Sequence, residues 1–340
     1  MMVVMKKQHS ERELQAVLDH LKERGLSAHM SVGVERTVIG VVGSIYPELS
    51  EELGALPGVD DTLAISKPYK LASRELRPED TIVKIGNVAV GDGSTVVIAG
   101  QCSVDTPDQM MATAQAVKES GGHILRGGAF KPRSSPHAFR GLVEEGLRIL
   151  AEAGAAYGMP TVSEVMDPRD VELVAQYVDC LQIGTRNAQN YFLLDEVGNS
   201  KKPVLLKRGM ACSVEEWLLS AEYILARGNQ QVILCERGIR TFETGTRFTL
   251  DISAIPLAKR LSHLPVVSDP SHGTGRWYLV EPLAMASVAA GADGLMIEIH
   301  PNPDRALSDG AQSLTFENFH KLMERVKLVS EAVHRPLARV

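Results

Sequence analysis

Two rhythms of apolar and polar positions divide the chain. Over residues 1–66 short apolar runs alternate with helical spacing. Met2–Lys6 is strand-like, and Ser10 is an N-cap candidate for a helix through Arg24, with Leu14, Val17, Leu18 and Leu21 on one face. Strand-like runs follow at Ala28–Val32 and Thr37–Gly43, then a short helix near Pro47–Leu53 and a strand near Asp61–Ser66. The order β-α-β-β-α-β predicts a small α+β ferredoxin-like domain over 1–66. Segment 67–80 is polar, charged and proline-bearing, and is expected to be a linker.

From residue 81 the rhythm changes. A hairpin is expected over 81–94, with Gly86-Asn87 at its turn. Eight apolar runs then end near Ala99, Leu125, Val165, Ile183, Leu206, Leu234, Val267 and Ile299. Amphipathic stretches of helical length separate most of them, among them Thr106–Glu119, Phe139–Tyr157, Pro168–Tyr177, Val214–Arg227 and Pro282–Ala290, and Thr315–Val333 closes the chain. Eight strand–helix alternations predict a (β/α)8 TIM barrel over 81–340, an α/β architecture. A doubly wound sheet is the alternative, but no GxGxxG follows the first run.

Composition narrows the function classes. Aromatics make up 5% and there are 29 glycines, which suits a helix–strand repeat better than a β-sandwich. A net charge of −6 argues against nucleic acid as a partner, so an anionic ligand needs a local basic cluster. The four cysteines form no CxxC pair, which points to reduced thiols and a cytoplasmic location. The longest apolar stretch, Leu283–Ile299, contains Asp293 and reads as a helix plus a strand, with no membrane span.

Barrel enzymes place their chemistry at the C-terminal strand ends. Here those ends carry two sets of residues. Arg126, Lys131, Arg133, Arg186, Lys207 and Arg237 are basic, and their convergence in an acidic chain implies a small polyanion. Cys102, His272, Glu298 and Asp309 could hold a divalent ion. Their spacing alone is weak, and alternatives stay open. Cys102 alone reads as a buried filler, His272 could be a general base, Asp309 a helix cap, and His300 a rival ligand. Cys102 as a nucleophile with His272 as base would leave the cations without a use.

The motifs RGGAFKPRSSP (126–136), IGTRNAQN (183–190), KRGM (207–210), CERGIRTFET (235–244), DPSHGTGR (269–276) and EIHPNPDRALSDG (298–310) together resemble the 3-deoxy-D-arabino-heptulosonate 7-phosphate (DAHP) synthases, in the type Iβ form with a small N-terminal domain. The resemblance implies condensation of phosphoenolpyruvate with erythrose 4-phosphate, with release of phosphate, at the entry to aromatic amino-acid biosynthesis. It implies one divalent ion (Mn, Fe, Zn or Co) on Cys102, His272, Glu298 and Asp309. Arg126, Lys131, Glu164, Thr185, Arg186, Lys207 and Arg237 would meet phosphoenolpyruvate. Lys131, Pro132, Arg133, Ser134 and Asp269 would meet the sugar phosphate. Lys131, Glu164 and His272 would be catalytic. It also implies a homotetramer and feedback inhibition by tyrosine or phenylalanine through the N-terminal domain.

The related 3-deoxy-D-manno-octulosonate 8-phosphate synthases carry a loop more like Lys-Ala-Asn-Arg-Ser, so Pro132-Arg133 favours the four-carbon sugar. Some of those relatives are metal-free and have Asn at the position of Cys102, whose presence here therefore implies metal dependence. The chain departs from the family pattern at Gln101, Thr185, Phe248 and Gly275. Gln101 is expected to place an amide near the metal. Two other classes are a different metal-dependent barrel aldolase, and a barrel that binds metabolites without turnover.

Overall fold

The computed structural model describes residues 1–33, 36–43, 45–46, 48–63, 68–131, 137 and 139–339. They form two compact units, Met1–Glu79 with Leu261–His263, and Asp80–Arg260 with Leu264–Val340.

In the first unit, strands β1 (Met2–Met5), β2 (Ser27–Val32), β3 (Thr37–Val42) and β4 (Val59–Leu63) form an antiparallel sheet in the order β2-β3-β1-β4. Helices α1 (Glu11–Glu23) and α2 (Leu49–Gly54) complete the ferredoxin-like order. The Ser10 hydroxyl caps the Glu13 N–H, and the Glu13 carboxylate returns to the Ser10 N–H at 2.7 Å, so two otherwise unpaired donors are satisfied. Leu14, Val17 and Leu21 then face a core with Val3, Met5, Ile39 and Val41. Strand β4 begins two residues before the apolar run suggested, because Met5 pairs with Val59 across a bulge. Of segment 68–79, Tyr69, Leu71, Ala72 and Leu76 are buried.

The second unit is a closed parallel barrel of β7 (Val96–Gln101), β8 (Ile124–Gly127), β9 (Thr161–Val165), β10 (Cys180–Ile183), β11 (Val204–Lys207), β12 (Val232–Glu236), β13 (Val266–Ser268) and β14 (Gly294–Glu298). Pairing of β14 with β7 closes the ring. The hairpin of β5 (Val83–Ile85) and β6 (Val88–Val90) turns at Gly86 against Pro160, just before β9. Its Val83, Ile85, Val88 and Val90 join one apolar cluster with Ile98, Val162, Leu205, Val267 and Met296. Cys180 and Cys235 belong to the same cluster, where burial pushes both thiols far up. The hairpin thus lies at the N-terminal strand ends and leaves the C-terminal ends as the open face.

Around the ring lie α3 (Pro107–Glu119), α4 (Glu144–Ala156), α5 (Val171–Tyr177), α6 (Tyr191–Asn199), α7 (Val214–Ala226), α8 (Ala254–Leu261), α9 (Pro270–Thr274), α10 (Trp277–Ala289) and α11 (Phe316–Ala332). Two differ from the sequence expectation. The helix expected from Phe139 starts at Glu144, because Val143 has φ 54° and its N–H donates to the Ala129 carbonyl instead of continuing a helix. The helix expected from Pro282 starts five residues earlier, with the proline inside it. Pro282 stands beyond the first turn of α10, so it withholds the N–H that the Tyr278 carbonyl would otherwise accept, and the helix carries it at the loss of that one internal bond. His123 is a structural clamp: its Nδ1 accepts the Val97 N–H at 2.9 Å and its Nε2 lies 3.0 Å from the Ala338 carbonyl. Among the described residues, no helix is long and apolar enough to cross a membrane.

Candidate active site

Strand alternation decides which side chains reach the open face. At the end of β7, Gly100 and Cys102 point one way and Gln101 the other. The Gln101 amide donates to Thr113 Oγ1 on α3 at 3.0 Å, so it stands away from Cys102. The expectation of an amide near the metal is therefore corrected by the pleat. Its Oε1 is buried and unpaired among the described residues.

Cys102, His272, Glu298 and Asp309 converge from the ends of β7, β13, β14 and the loop after β14. One donor atom from each lies within 4.8 Å of all the others. Cys102 Sγ is 3.0 Å from Asp309 Oδ2, and His272 Nε2 is 3.2 Å from Glu298 Oε1. Asp309 takes a left-handed backbone, φ 54° and ψ 30°, which aspartate tolerates. It precedes a short 3-10 turn (Gly310–Gln312) but makes no side-chain cap there, so the capping alternative is not realised. The rival His300 is turned away: its Nδ1 accepts the Asn302 N–H at 3.0 Å and its Nε2 faces Asp105 at 3.3 Å.

The charge states suit a cation. Burial and the nearby Glu298 push the Cys102 thiol up to about 12, so a positive ion is needed to make it a thiolate at neutral pH. Burial lowers His272, against the pull of Asp269 and Glu298 in the other direction. Its Nδ1 lies 2.7 Å from Asp269 Oδ2, which fixes the tautomer with Nε2 as the free acceptor. Burial pushes Asp269 up, but His272 and Lys207 outweigh it and hold the carboxylate well below its usual range. Burial raises Glu298 too, yet His272 and Arg126 hold it low.

Four of the cations, Arg126, Lys131, Lys207 and Arg237, are buried at the same mouth. Arg126 Nη1 is 2.5 Å from Glu298 Oε1, with side chains 4% and 0% exposed. Lys207 Nζ is 2.6 Å from Asp269 Oδ2. Lys131 Nζ lies 2.7 Å from the Cys102 carbonyl and 2.9 Å from its Sγ. Glu164 is raised by burial, while Lys131, Lys207, Arg126 and Arg186 each act on it in the opposite direction. Its carboxylate leans on Gly184, where a Cβ would come within 1.9 Å of Oε1. That Oε1 is buried without a hydrogen-bond partner among the described residues, and so is Arg237 Nε. The Arg237 guanidinium lies over the Phe248 ring at 4.1 Å, so the unusual Phe248 gives it a cation–π platform. Thr185 donates its hydroxyl to the Arg208 carbonyl at 2.7 Å, Arg186 is exposed, and Gly275 ends α9 in a left-handed conformation. Pro132, Arg133 and Ser134 lie outside the described residues.

Sequence reasoning missed several members. Gln312 Nε2 donates to Glu298 Oε2 at 2.5 Å, and Arg247 Nη1 reaches Asp309 Oδ1 at 3.0 Å and Gln312 Oε1 at 3.1 Å. Nothing in their polar loops marks them. Gln182 and Glu236 did carry a signal, a lone polar residue in an otherwise apolar buried strand.

The model of the DAHP synthetase I family matches residues 74–335, and that of the DAHP synthase ferredoxin-like domain matches residues 1–67. A phospho-2-dehydro-3-deoxyheptonate aldolase of Thermotoga maritima is 49% identical over 333 residues, covering 98% of each chain. A 2-dehydro-3-deoxyphosphooctonate aldolase of Syntrophotalea carbinolica is 32% identical over 75% of this chain and 97% of its own. The crystal structure of the Thermotoga heptonate enzyme superposes with a TM-score of 0.79 over 99% of both chains at 48% identity.

Proposed function

Since the chain belongs to the DAHP synthetase I family, we propose that it condenses phosphoenolpyruvate with erythrose 4-phosphate and water, giving DAHP and phosphate, with one divalent ion on Cys102, His272, Glu298 and Asp309. The family carries out the aldol-type condensation step of aromatic biosynthesis, and this chain is an enzyme of that step. The observation that carries the finer reading is one mouth holding four donor atoms within 4.8 Å beside buried Arg126, Lys131, Lys207 and Arg237.

A thiol, an imidazole and two carboxylates fit Mn, Fe, Zn or Co. When bound, such an ion supplies Lewis-acid polarisation of the aldehyde carbonyl. The chain's own residues do the rest. Arg126, Arg186, Lys207 and Arg237, with the Thr185 backbone N–H, hold the phosphate and carboxylate of phosphoenolpyruvate. Lys131, Asp269 and the loop of Pro132, Arg133 and Ser134 receive the sugar phosphate. The enol carbon bonds to the aldehyde carbon, and Lys131 donates a proton to the oxygen left negative. Its ammonium is kept charged, because Cys102 and Glu164 outweigh the effect of burial. Water adds to the carbon that bears the phosphate ester, the carbon–oxygen bond breaks, and phosphate leaves. Glu164 orients that water with its unpaired Oε1.

This role sets the pH dependence. Glu164 acts as the carboxylate, so activity falls as pH drops through its pKa. Burial raises that value, so the acid limb should stand above the ordinary glutamate value of about 4.3. Glu164→Gln should lower kcat by about 10²-fold and flatten that limb. A pH profile of kcat/KM in which the limb is unchanged by the substitution would remove Glu164 from this role.

Substrate choice is read from loss of phosphoenolpyruvate with erythrose 4-phosphate or arabinose 5-phosphate as the partner. Turnover with the four-carbon sugar alone is expected. Preference for the five-carbon sugar would move the chain to the octulosonate chemistry of its other relatives. Sugar cleavage with no phosphoenolpyruvate involved would make it an ordinary aldolase, and binding without turnover would make it a lapsed barrel. For the first unit we propose feedback by tyrosine or phenylalanine, in a cytoplasmic homotetramer. Deleting residues 1–66 should keep the condensation and abolish that inhibition, and an unchanged inhibition curve would discard the idea.

A further inference from the structure

A buried pair, Arg208 and Glu236, lies directly beside two of the proposed phosphoenolpyruvate contacts and has no role in the chemistry above. Arg208 follows Lys207 at the end of β11, and Glu236 precedes Arg237 at the end of β12. Arg208 Nη1 lies 2.8 Å from Glu236 Oε2, with side chains 5% and 0% exposed, and 3.0 Å from Asp251 Oδ2. Its Nε donates to the Cys212 carbonyl at 2.9 Å. Its backbone is committed as well: the N–H donates to the Cys235 carbonyl at 2.9 Å and the carbonyl accepts the Thr185 hydroxyl. Glu236 uses its other oxygen, Oε1, to accept the Gly238 N–H at 2.6 Å. That bond spans Arg237, fixing the turn from which its guanidinium reaches Phe248. The Glu236 carbonyl also accepts the Asp269 N–H at 2.8 Å.

Ion pairs this deeply buried contribute little net stability, because desolvating two charges offsets most of their attraction. What they do supply is geometry: a planar fork with a fixed set of acceptors. Through backbone and side chain together, this one pair ties the ends of β11 and β12 to Thr185 after β10 and to Asp269 after β13. Those are the positions of Thr185, Lys207 and Arg237.

We infer that Arg208 and Glu236 form a positioning unit that sets the Thr185, Lys207 and Arg237 contacts for the phosphate and carboxylate of phosphoenolpyruvate. The inference rests on the proposed clamp. Neither side chain touches substrate. Arg208→Lys keeps the charge but loses the fork, so the clamp loosens while the four metal donors and the sugar loop stay as they are.

The test is steady-state kinetics of the full chain with saturating divalent metal, varying each substrate in turn. Wild-type turnover of phosphoenolpyruvate with erythrose 4-phosphate establishes the underlying reading by itself. For Arg208→Lys, KM for phosphoenolpyruvate should rise about tenfold, with KM for the sugar within twofold and metal affinity unchanged. Asp251→Asn, which removes the charge of the part-buried second partner of Arg208, should shift the same constant in the same direction by less, and it covers the case of a poorly folded Arg208 variant. A purely structural pair would lower the melting temperature and the active fraction and leave KM for phosphoenolpyruvate alone. That result, or an equal rise in both KM values, overturns the inference.

Discussion

Cys102→Ala should lower kcat/KM by on the order of 10³ at saturating metal, and should weaken metal binding itself. The thiol is one of four donors within 4.8 Å, and its loss leaves three. Lewis-acid polarisation is worth several kcal/mol of barrier, and each 1.36 kcal/mol is tenfold. Losing roughly 4 kcal/mol of it gives that thousandfold. The fold should survive, because Lys131 Nζ keeps its bond to the residue's carbonyl and alanine fits the space. Circular dichroism and kinetics on one preparation check both halves. A variant within tenfold of wild type would show that the thiol is filler.

Gly100→Ala should be the most destabilising single-methyl change near the site, by about 3 kcal/mol or more. Gly100 has φ +153°, and a Cβ there would lie 2.0 Å from the Arg126 carbonyl oxygen. Backbone cannot swing aside as a side chain can. The ladder aligns Gly100 with Glu298 on β14 and with Arg126 on β8, so Arg126 and Glu298 meet across the one residue that has no side chain. Moving β7 outward would part that buried pair, and an unpartnered buried charge is costly. The melting temperature should fall by roughly 6–12 °C. A variant that melts with wild type would mean the strand is free to shift.

The barrel was legible because a parallel strand buried on both faces needs an unbroken apolar run, and all eight runs coincide with strands. The convergence of Cys102, His272, Glu298 and Asp309 was legible because each stands at a strand end or in the loop beyond it, where only a closed ring makes distant residues neighbours. Helix starts were less so. Val143 gives no sign of a positive φ, and a bond to Ala129 decides where α4 begins. Gln101 was placed on the wrong side because its neighbour's chemistry was weighed and the alternation of the strand was not. Gln312 and Arg247 were invisible, since they act through loop contacts that leave no periodicity. Arg208 and Glu236 lie in the KRGM and CERGIRTFET motifs, but only the closed ring brings the two adjacent strand ends into one hydrogen-bond network.

Titrating chelator-treated protein with Mn²⁺ decides whether the condensation depends on a divalent ion held by Cys102, His272, Glu298 and Asp309. Bound ion and phosphoenolpyruvate consumption with erythrose 4-phosphate are followed together. No turnover is expected without the ion, and both curves should saturate at one ion per chain. Full turnover by the metal-free protein, or an ion bound with no change in rate, would contradict that dependence.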